Sequence, residues 1–304
     1  MITDLTINKF VNSIDEFVHK DSSSNSVIPL HEPDFKNTNS LSYIKDCIDS
    51  AWVSSGGNWV SDFESKLCEY TKSKYAIAVC NGTIALRLAL HIVGVKAGDE
   101  VLVTPISFVA TVNAISHLGA TPHFVDIENK TLAICPNKLE KRLEEIAFVK
   151  DGETFNKISK KRIKAILPVH VFGTPFNFEF LEKIANKWKI PIIEDAAEAL
   201  GSWYTNKNGT RHCGSLGEIG ILSFNGNKII TTGGGGALLT NNEKYARQAK
   251  HISTTAKIPH PWEFFHDQIG WNDRMPNINA ALGYAQLEKI NQILKIKKNI
   301  YEHY

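Results

Sequence analysis

The sequence has no apolar run that approaches the roughly 20 residues needed to span a bilayer. Its N-terminus lacks the basic start, apolar block and small-residue cleavage site of a secretory signal. Neither sign of charge dominates, because 34 basic residues stand against 32 acidic ones and the net charge is +2. That balance gives no electrostatic footprint for nucleic acid or an anionic membrane. These absences predict a cytoplasmic protein that binds neither.

Cysteine is scarce, and the spacing of the cysteines gives no indication of disulfide pairing. The five cysteines are odd in number, and none is spaced as C-x-x-C. This pattern is typical of reduced thiols rather than of a disulfide framework or a metal site, so we predict no metal. What is present is an ordinary globular composition, with 43% apolar and 22% charged residues, which allows a sizeable core.

The chain divides into a short leading segment and a large body. Apolar residues fall at helical spacing over residues 1–19 and predict an amphipathic helix, and the serine-rich residues 21–26 predict a flexible linker. From Tyr75 onward, short apolar runs alternate with helical patterns, which predicts right-handed crossovers and a mostly parallel α/β sheet. We therefore predict a helix and linker over 1–27, a large domain over 28–275 and the start of a long helix over 276–304.

Residues of chemical interest follow directly after predicted strands. Gly82 and Thr83 follow the apolar run 75–80, Phe108 follows the run 101–103, and Asp195 follows the run 190–193. Parallel sheets bind ligands outside the carboxyl ends of their strands. We therefore expect these residues to share one site.

The first two of these residues open a helical pattern. Free N–H groups at a helix N-terminus favour an anion such as phosphate, and Gly82 permits close backbone approach. The alternative is that Thr83 is only a helix cap. Phe108 offers an aromatic face to a flat ring, with a place in the core as the alternative.

Lys228 and Asp195 are the two groups that pyridoxal phosphate requires from its protein. The lysine can form a Schiff base and then move protons, and the carboxylate can keep the ring nitrogen protonated so that the ring accepts electrons. Glu198 lies three residues after the aspartate, near enough for the ring hydroxyl, and Ser223 lies five residues before the lysine as a phosphate donor. An isolated lysine is otherwise a solvated surface charge.

The glycines 233–236 favour a closely packed site after this lysine, because glycine allows backbone approach that side chains block. A dinucleotide-binding loop is disfavoured, because the run lacks the strand–GxGxxG–helix context.

In their order along the chain, these segments resemble the DegT/StrS family of pyridoxal phosphate-dependent nucleotide-sugar aminotransferases. The resemblance begins near Val27 and covers nearly all of the chain after it. Within that family, the opening Ile28–Pro33 and the lysine segment are most similar to the LegC-type branch, which aminates UDP-linked 4-keto-6-deoxy-N-acetylhexosamines. The segments that carry the resemblance are Trp52-Val53-Ser54-Ser55, Asn81-Gly82-Thr83, Glu194-Asp195-Ala196-Ala197-Glu198, Ser223–Gly236 and Asn272–Gly283.

The resemblance implies a fold-type-I transferase with a mostly parallel seven-stranded sheet, and a homodimer with active sites at the subunit interface. It implies glutamate as the amino donor and the C4 ketone of a nucleotide sugar as the acceptor. It also implies that Lys228 and Asp195 are catalytic, and that Asn272 reaches the phosphate in the neighbouring subunit. The cofactor contacts that it implies are Gly82, Thr83, Phe108, Asp195, Glu198, Ser223, Lys228 and Asn272.

Two departures from the family pattern bear on function. Gly234 stands where many relatives carry glutamate, which we interpret as a feature of the branch. Relatives also continue for on the order of 70 to 90 residues, so we expect that 276–304 leads to a small C-terminal domain truncated here. The alternative functions are a truncated, non-catalytic remnant that binds a partner, and a pyridoxal phosphate-dependent sugar dehydratase. Lys228 argues against the dehydratase, since such relatives place histidine there.

Overall fold

The computed structural model describes residues 4–18 and 31–303, and it divides the chain into two units, Met1–Asp34 and Phe35–Tyr304. In the first unit, helix α1 spans Asp4–Val18, within the stretch predicted as an amphipathic helix. The predicted linker 21–26 lies outside the described residues.

In the second unit, strands and helices alternate from Tyr75 onward, as the apolar pattern predicts. The helices are α2 (Ser40–Asp49), α3 (Asn58–Thr71), α4 (Gly82–Ile92), α5 (Val109–Ser116), α6 (Pro136–Ile146), α7 (Phe178–Trp188), α8 (Glu243–Ser253), α9 (Asn277–Leu287) and α10 (Ile290–His303). The strands are β1 (Tyr75–Val79), β2 (Glu100–Val103), β3 (Thr121–Phe124), β4 (Ala147–Lys150), β5 (Glu153–Asn156), β6 (Ile163–Leu167), β7 (Ile193–Asp195), β8 (Trp203–Asn206), β9 (Gly209–His212), β10 (Ile219–Ser223) and β11 (Gly236–Thr240).

Seven strands form the central sheet among the described residues. The ladder β1-β11-β10-β7 continues into β6-β2-β3 through the parallel bridges Ile166–Ile192 and Val169–Asp195. Strand β11 is antiparallel to both of its neighbours, and the other pairings are parallel. This arrangement confirms the predicted mostly parallel seven-stranded sheet of a fold-type-I transferase. The pairs β4–β5 and β8–β9 form separate antiparallel hairpins.

The apolar strands separate two layers of helices, because successive side chains of a strand point to opposite faces. In β2, Val101 and Val103 pack into a core cluster with residues of α4, α5 and α8. Leu102, between them, packs into a second cluster with residues of α6 and α7. All three side chains are fully buried. The strand therefore reads as a continuous apolar run, as expected for a parallel sheet covered on both faces.

The helical pattern predicted from Met275 to the end of the chain forms two helices rather than one. Helix α9 ends at Leu287 and α10 begins at Ile290. Between them, the N–H of Lys289 donates to the carbonyl of Gln286 at 3.0 Å, a tighter turn than the α-helical one. Leu287 and Ile290 are thereby buried in the same core cluster, so the break is the result of packing.

The other predicted boundaries shift by a few residues. The apolar run 190–193 leads into β7 rather than forming it, because the strand begins at Ile193 and ends at Asp195. The helical pattern of residues 139–148 belongs to α6 only as far as Ile146, and Phe148 lies in the hairpin strand β4.

All five cysteines are free thiols. Within the described part of the chain, no helix has both the length and the apolar character needed to cross a membrane. The same residues contain no cluster of three or more histidine, cysteine or acidic side chains placed to hold a metal ion.

His212, at the end of β9, is a histidine that the fold holds neutral. Its side chain is fully buried, and its Nε2 accepts a hydrogen bond from the N–H of Gly201 at 3.0 Å. Burial lowers the pKa of this imidazole to about 4, against a smaller opposing effect of Glu194. Protonation would turn the Nε2 acceptor into a donor that faces another donor. Acidification therefore opposes the folded state at this residue.

We expect His212→Gln to flatten the dependence of stability on pH. Because the folded pKa lies below the unfolded value of 6.5, the neutral histidine stabilises the fold fully above pH 6.5, and this stability is lost as pH falls towards 4. The native chain should lose about 2 kcal/mol at this residue between pH 7 and pH 5. Urea unfolding at several pH values checks this.

The glutamine variant keeps an acceptor for Gly201 but does not titrate. His117→Gln, at an exposed histidine, is the matched control and should keep the native slope. An unchanged slope in the His212 variant would contradict the assignment.

Candidate active site

A cavity of about 490 Å³ lies where the strands of the central sheet end. Residues after β1, β2, β6 and β7, and the last residue of β10, line it. All the predicted site residues except Asn272 are among its lining residues, namely Gly82, Thr83, Phe108, Asp195, Glu198, Ser223 and Lys228. Positions far apart in the chain meet here because parallel strands present their carboxyl ends at one edge of the sheet.

The first turn of α4 forms one wall of the cavity. Asn81 caps this helix, since its Oδ1 accepts from the N–H of Ile84 at 2.9 Å. The alternative that Thr83 is the cap is therefore wrong. Gly82 and Thr83 are the first two helical residues, whose N–H groups have no partner inside a helix. Together with the cavity in front of them, these N–H groups suit an anion.

Gly82 is required sterically at this wall. A Cβ at position 82 would lie 2.9 Å from the Cβ of Ser223, at the end of β10. Real Cβ atoms do not approach so closely, so glycine is what lets the helix N-terminus and Ser223 share one side of the cavity. The two predicted phosphate contacts from distant segments are thus neighbours.

Asp195 ends β7 and is buried, with 4% of its surface exposed. Its Oδ2 accepts from the Oγ1 of Thr111 at 2.6 Å, and its Oδ1 accepts from the N–H of Ala197 at 3.2 Å. Burial raises the pKa of this carboxyl, while the two hydrogen bonds and the nearby Lys228 act in the opposite direction. A buried carboxylate in a cavity wall favours a ligand that brings it a positive N–H group.

Lys228 lies on the loop between β10 and β11 and is 12% exposed. Its backbone N–H donates to the carbonyl of Asn225 at 3.0 Å, which holds the turn. Its Nζ lies 3.1 Å from the Oε1 of Glu198. The surface-charge alternative is wrong for this lysine, because its side chain is largely enclosed and lines the cavity.

The glycine run after the lysine closes this loop onto the strand ends. Gly233 has φ +79°, and a Cβ at Gly235 would lie 2.2 Å from the Oγ1 of Thr232. A Cβ at Gly236 would lie 2.6 Å from the backbone of Asn81. These contacts explain why glycine occupies the return of the loop, and they place β11 directly against the start of α4.

Glu198 connects Lys228 to a residue that sequence reasoning missed. Its Oε2 accepts from the backbone N–H of Phe172 at 3.1 Å. Phe172 has φ +52°, a left-handed conformation that is rare for a bulky residue, and its side chain is 81% exposed and lines the cavity. Strained backbone of this kind concentrates at functional sites. The only signal in the sequence was its position just beyond an apolar run, at 163–169.

Phe108 occupies the position before α5 and is 72% exposed beside the cavity. The alternative, that Phe108 belongs to the hydrophobic core, is therefore wrong. Thr111, one turn further along α5, also lines the cavity and was missed because a threonine within a helical pattern carries no distinct signal.

Asn272 is exposed and does not line this cavity. Its Oδ1 accepts from the Nε of Arg274 at 3.3 Å, and its backbone pairs with Thr254. Its predicted contact with a neighbouring subunit's phosphate stays a prediction.

The cavity has the groups that pyridoxal phosphate requires. An anion site, a primary amine and a buried carboxylate face the same space, and an exposed aromatic ring lies beside them. The absence of a side chain at Gly82 lets the first turn of α4 approach Ser223 closely. The donor set therefore fits the cofactor.

Comparison with known proteins gives extensive similarity. The GDP-perosamine synthase of Escherichia coli O157:H7 is 38% identical over 277 residues, which are 91% of this chain and 70% of that protein. EpsN of Bacillus subtilis, whose name describes a pyridoxal phosphate-dependent aminotransferase, is 37% identical over 262 residues, 86% of this chain and 64% of EpsN. An aminotransferase from Psychrobacter cryohalolentis, solved by X-ray crystallography, superposes with a TM-score of 0.74 at 33% identity, covering 86% of this chain and 64% of that structure. The chain thus spans about two thirds of these relatives.

The family match runs over residues 35–304. It confirms the predicted enzyme class, an aminotransferase, and pyridoxal phosphate as the cofactor of that class. The LegC-like branch is not tested by these similarities and stays a prediction. On the sequence match, the similar structures and the cavity, the chain belongs to the DegT/DnrJ/EryC1/StrS aminotransferase family.

Proposed function

We propose that this chain transfers the amino group of glutamate to the C4 ketone of a nucleotide-linked 4-keto-6-deoxyhexose. The observation that carries the proposal is that Lys228, Asp195 and the N-terminus of α4 line one cavity. The relative named for synthesis of the GDP-linked sugar perosamine supports a nucleotide-sugar acceptor. The products are 2-oxoglutarate and the 4-amino sugar. The sugar thus gains the amino group of glutamate, and the carbon skeleton of glutamate gains a ketone oxygen.

In this proposal, residues that line the cavity hold each part of the cofactor. Pyridoxal phosphate, when bound, supplies an aldehyde carbon that carries the amino group and a ring that accepts an electron pair. The N–H groups of Gly82 and Thr83, with the hydroxyl of Ser223, would hold its phosphate. Asp195 would accept from its ring nitrogen, and Phe108 would cover one ring face.

Lys228 moves the protons of both half-reactions. As a neutral amine it takes the proton from the α-carbon of glutamate, and in the second half it gives a proton to C4 of the sugar. Glu198, 3.1 Å from Nζ, orients the amine between these steps. The charged form of Asp195 would hold the proton on the ring nitrogen.

The sugar enters beside Phe172, whose exposed ring offers an apolar face to the C–H groups of a deoxyhexose. The functional unit is a cytoplasmic homodimer in which Asn272 reaches the phosphate bound by the partner. The competing functions, which the tests below distinguish, are a non-catalytic remnant and a sugar dehydratase.

Replacement of Lys228 should remove covalent attachment of the cofactor. The native chain with pyridoxal phosphate should show a visible absorption band that bleaches with glutamate, and borohydride should fix the cofactor on the peptide containing Lys228. Lys228→Ala should lack both signals and lose about 10²–10⁴-fold or more in turnover. Absorbance and peptide mass spectrometry measure this.

Lys228→Arg is the matched control for charge, because it keeps a cation beside Glu198 but has no primary amine. It should behave like the alanine variant. A native band or native turnover in either variant would show that another residue holds the cofactor.

Gly82→Ala should weaken cofactor binding at least about tenfold, which corresponds to about 1.4 kcal/mol. The added methyl group would lie 2.9 Å from the Cβ of Ser223 and would push apart the two segments that form the phosphate site. Gly226→Ala is the control in the lysine loop, since its Cβ meets no atom within 4 Å. Fluorescence titration with pyridoxal phosphate compares them, and equal affinities would place the phosphate elsewhere.

The acceptor is tested by single turnover. The protein is first converted with glutamate, then mixed separately with GDP-linked and UDP-linked 4-keto-6-deoxy sugars, and the products are weighed by mass spectrometry. A 4-amino sugar from either nucleotide supports the proposal and identifies the branch, with the UDP-linked N-acetyl sugar expected for the LegC type. No amination of any keto sugar, despite bleaching with glutamate, would contradict it.

A further inference from the structure

We propose that Thr111 is a positioning residue that holds Asp195 in place for the reaction through the hydrogen bond from its hydroxyl. The inference rests on the proposed function, and it deepens the description of the same site. It assigns a role in the reaction to a helix residue that carries no charge.

The geometry of this contact is specific. Thr111 is fully buried, and its Oγ1 lies 2.6 Å from the Oδ2 of Asp195. Threonine hydroxyls inside helices usually donate to the carbonyl four residues earlier. Here the hydroxyl instead reaches a carboxylate 84 residues away in the chain. The hydrogen bond therefore joins α5 to the end of β7 rather than stabilising the helix itself.

The same turn of α5 also fixes the aromatic residue of the cavity. The backbone N–H of Thr111 donates to the carbonyl of Phe108 at 3.0 Å. One residue thus connects the two groups proposed to contact the cofactor ring, the carboxylate at its edge and the aromatic side chain at its face. A shift of Thr111 would move both.

The two oxygens of Asp195 are held from different directions. Thr111 donates to Oδ2 and the N–H of Ala197 donates to Oδ1, so the plane of the carboxylate is defined by one contact on each side. Both donors favour the charged form of the carboxylate, against burial, which raises its pKa. Without the hydroxyl, Asp195 becomes more basic and freer to turn.

The consequence for the chemistry has a definite direction. A more basic Asp195 draws the shared proton away from the ring nitrogen, and the ring then carries less positive charge. With less positive charge on the bound ring, Lys228 would keep its proton to higher pH, and it would remove the proton from glutamate more slowly. The visible band of the loaded protein should then titrate at higher pH, and glutamate should react more slowly.

The experiment compares Thr111→Val with Thr111→Ser in the protein loaded with pyridoxal phosphate. The valine variant keeps the shape but loses the hydroxyl, whereas the serine variant keeps the hydroxyl. We expect the valine variant to raise the midpoint of the pH titration of the visible band by about one pH unit and to slow the glutamate half-reaction about tenfold. The serine variant should stay near native in both.

Thr71→Val is the matched control for loss of a buried hydroxyl. Thr71 is also fully buried, but its hydroxyl donates to the carbonyl of Leu67 within α3, and neither residue lines the cavity. This variant should keep the native midpoint and half-reaction rate whatever its effect on melting temperature. Thr111→Ala serves if the valine variant does not fold, and it should show the same rise in midpoint.

The inference is overturned if the valine or alanine variant titrates as the native protein does, or if the serine variant shifts equally, since the effect would then come from packing. In both cases the native band still reports a loaded site, and the proposed function stands. Absence of a band from the native protein overturns the proposed function, and this inference with it.

Discussion

Strand alternation at the end of β7 is the constraint on which the site depends. Glu194 and Asp195 are adjacent, so their carboxylates point to opposite faces of the sheet. Glu194 is fully buried and accepts from the N–H groups of Gly214, Leu216 and Gly217, with His170 at 2.9 Å. These contacts tie the strand to two loops. Asp195 lies on the other face and lines the cavity. The contacts of the neighbouring Glu194, which does not line the cavity, hold the backbone at this point.

The parts of the fold set by local pattern could be predicted from the sequence. The apolar runs 75–80 and 101–103 located β1 and β2, and the placement of Asp195 after the run 190–193 indicated the edge where a ligand binds. The break after Leu287 could not be predicted, because the periodicity continues through it and only the shared burial of Leu287 and Ile290 produces the turn.

Within the site, the sequence points to a residue whose type has few uses and misses a residue whose use is decided by geometry. An enclosed lysine beside a glycine run is distinctive, as Lys228 is. A threonine is not: Thr83 resembled a cap that Asn81 in fact provides, and Thr111 resembled any helix residue until its hydroxyl was found 2.6 Å from Asp195. Phe172 also gave no signal in the sequence, because its left-handed backbone and its contact with Glu198 are visible only in the structure.

The antiparallel strand β11 has a consequence for the way the chain folds as it is synthesised. Strand β1 pairs with β11, from Tyr75 with Thr240 to Val79 with Gly236, so its sheet partner is made long after it. Gly236 also packs against Asn81 at the anion site. Strands so far apart in the chain pair slowly, and the edge of β1 stays unpaired until β11 has been made. A nascent chain that has not yet emerged through β11 therefore holds an incomplete cofactor site and an unpaired edge for chaperones to cover.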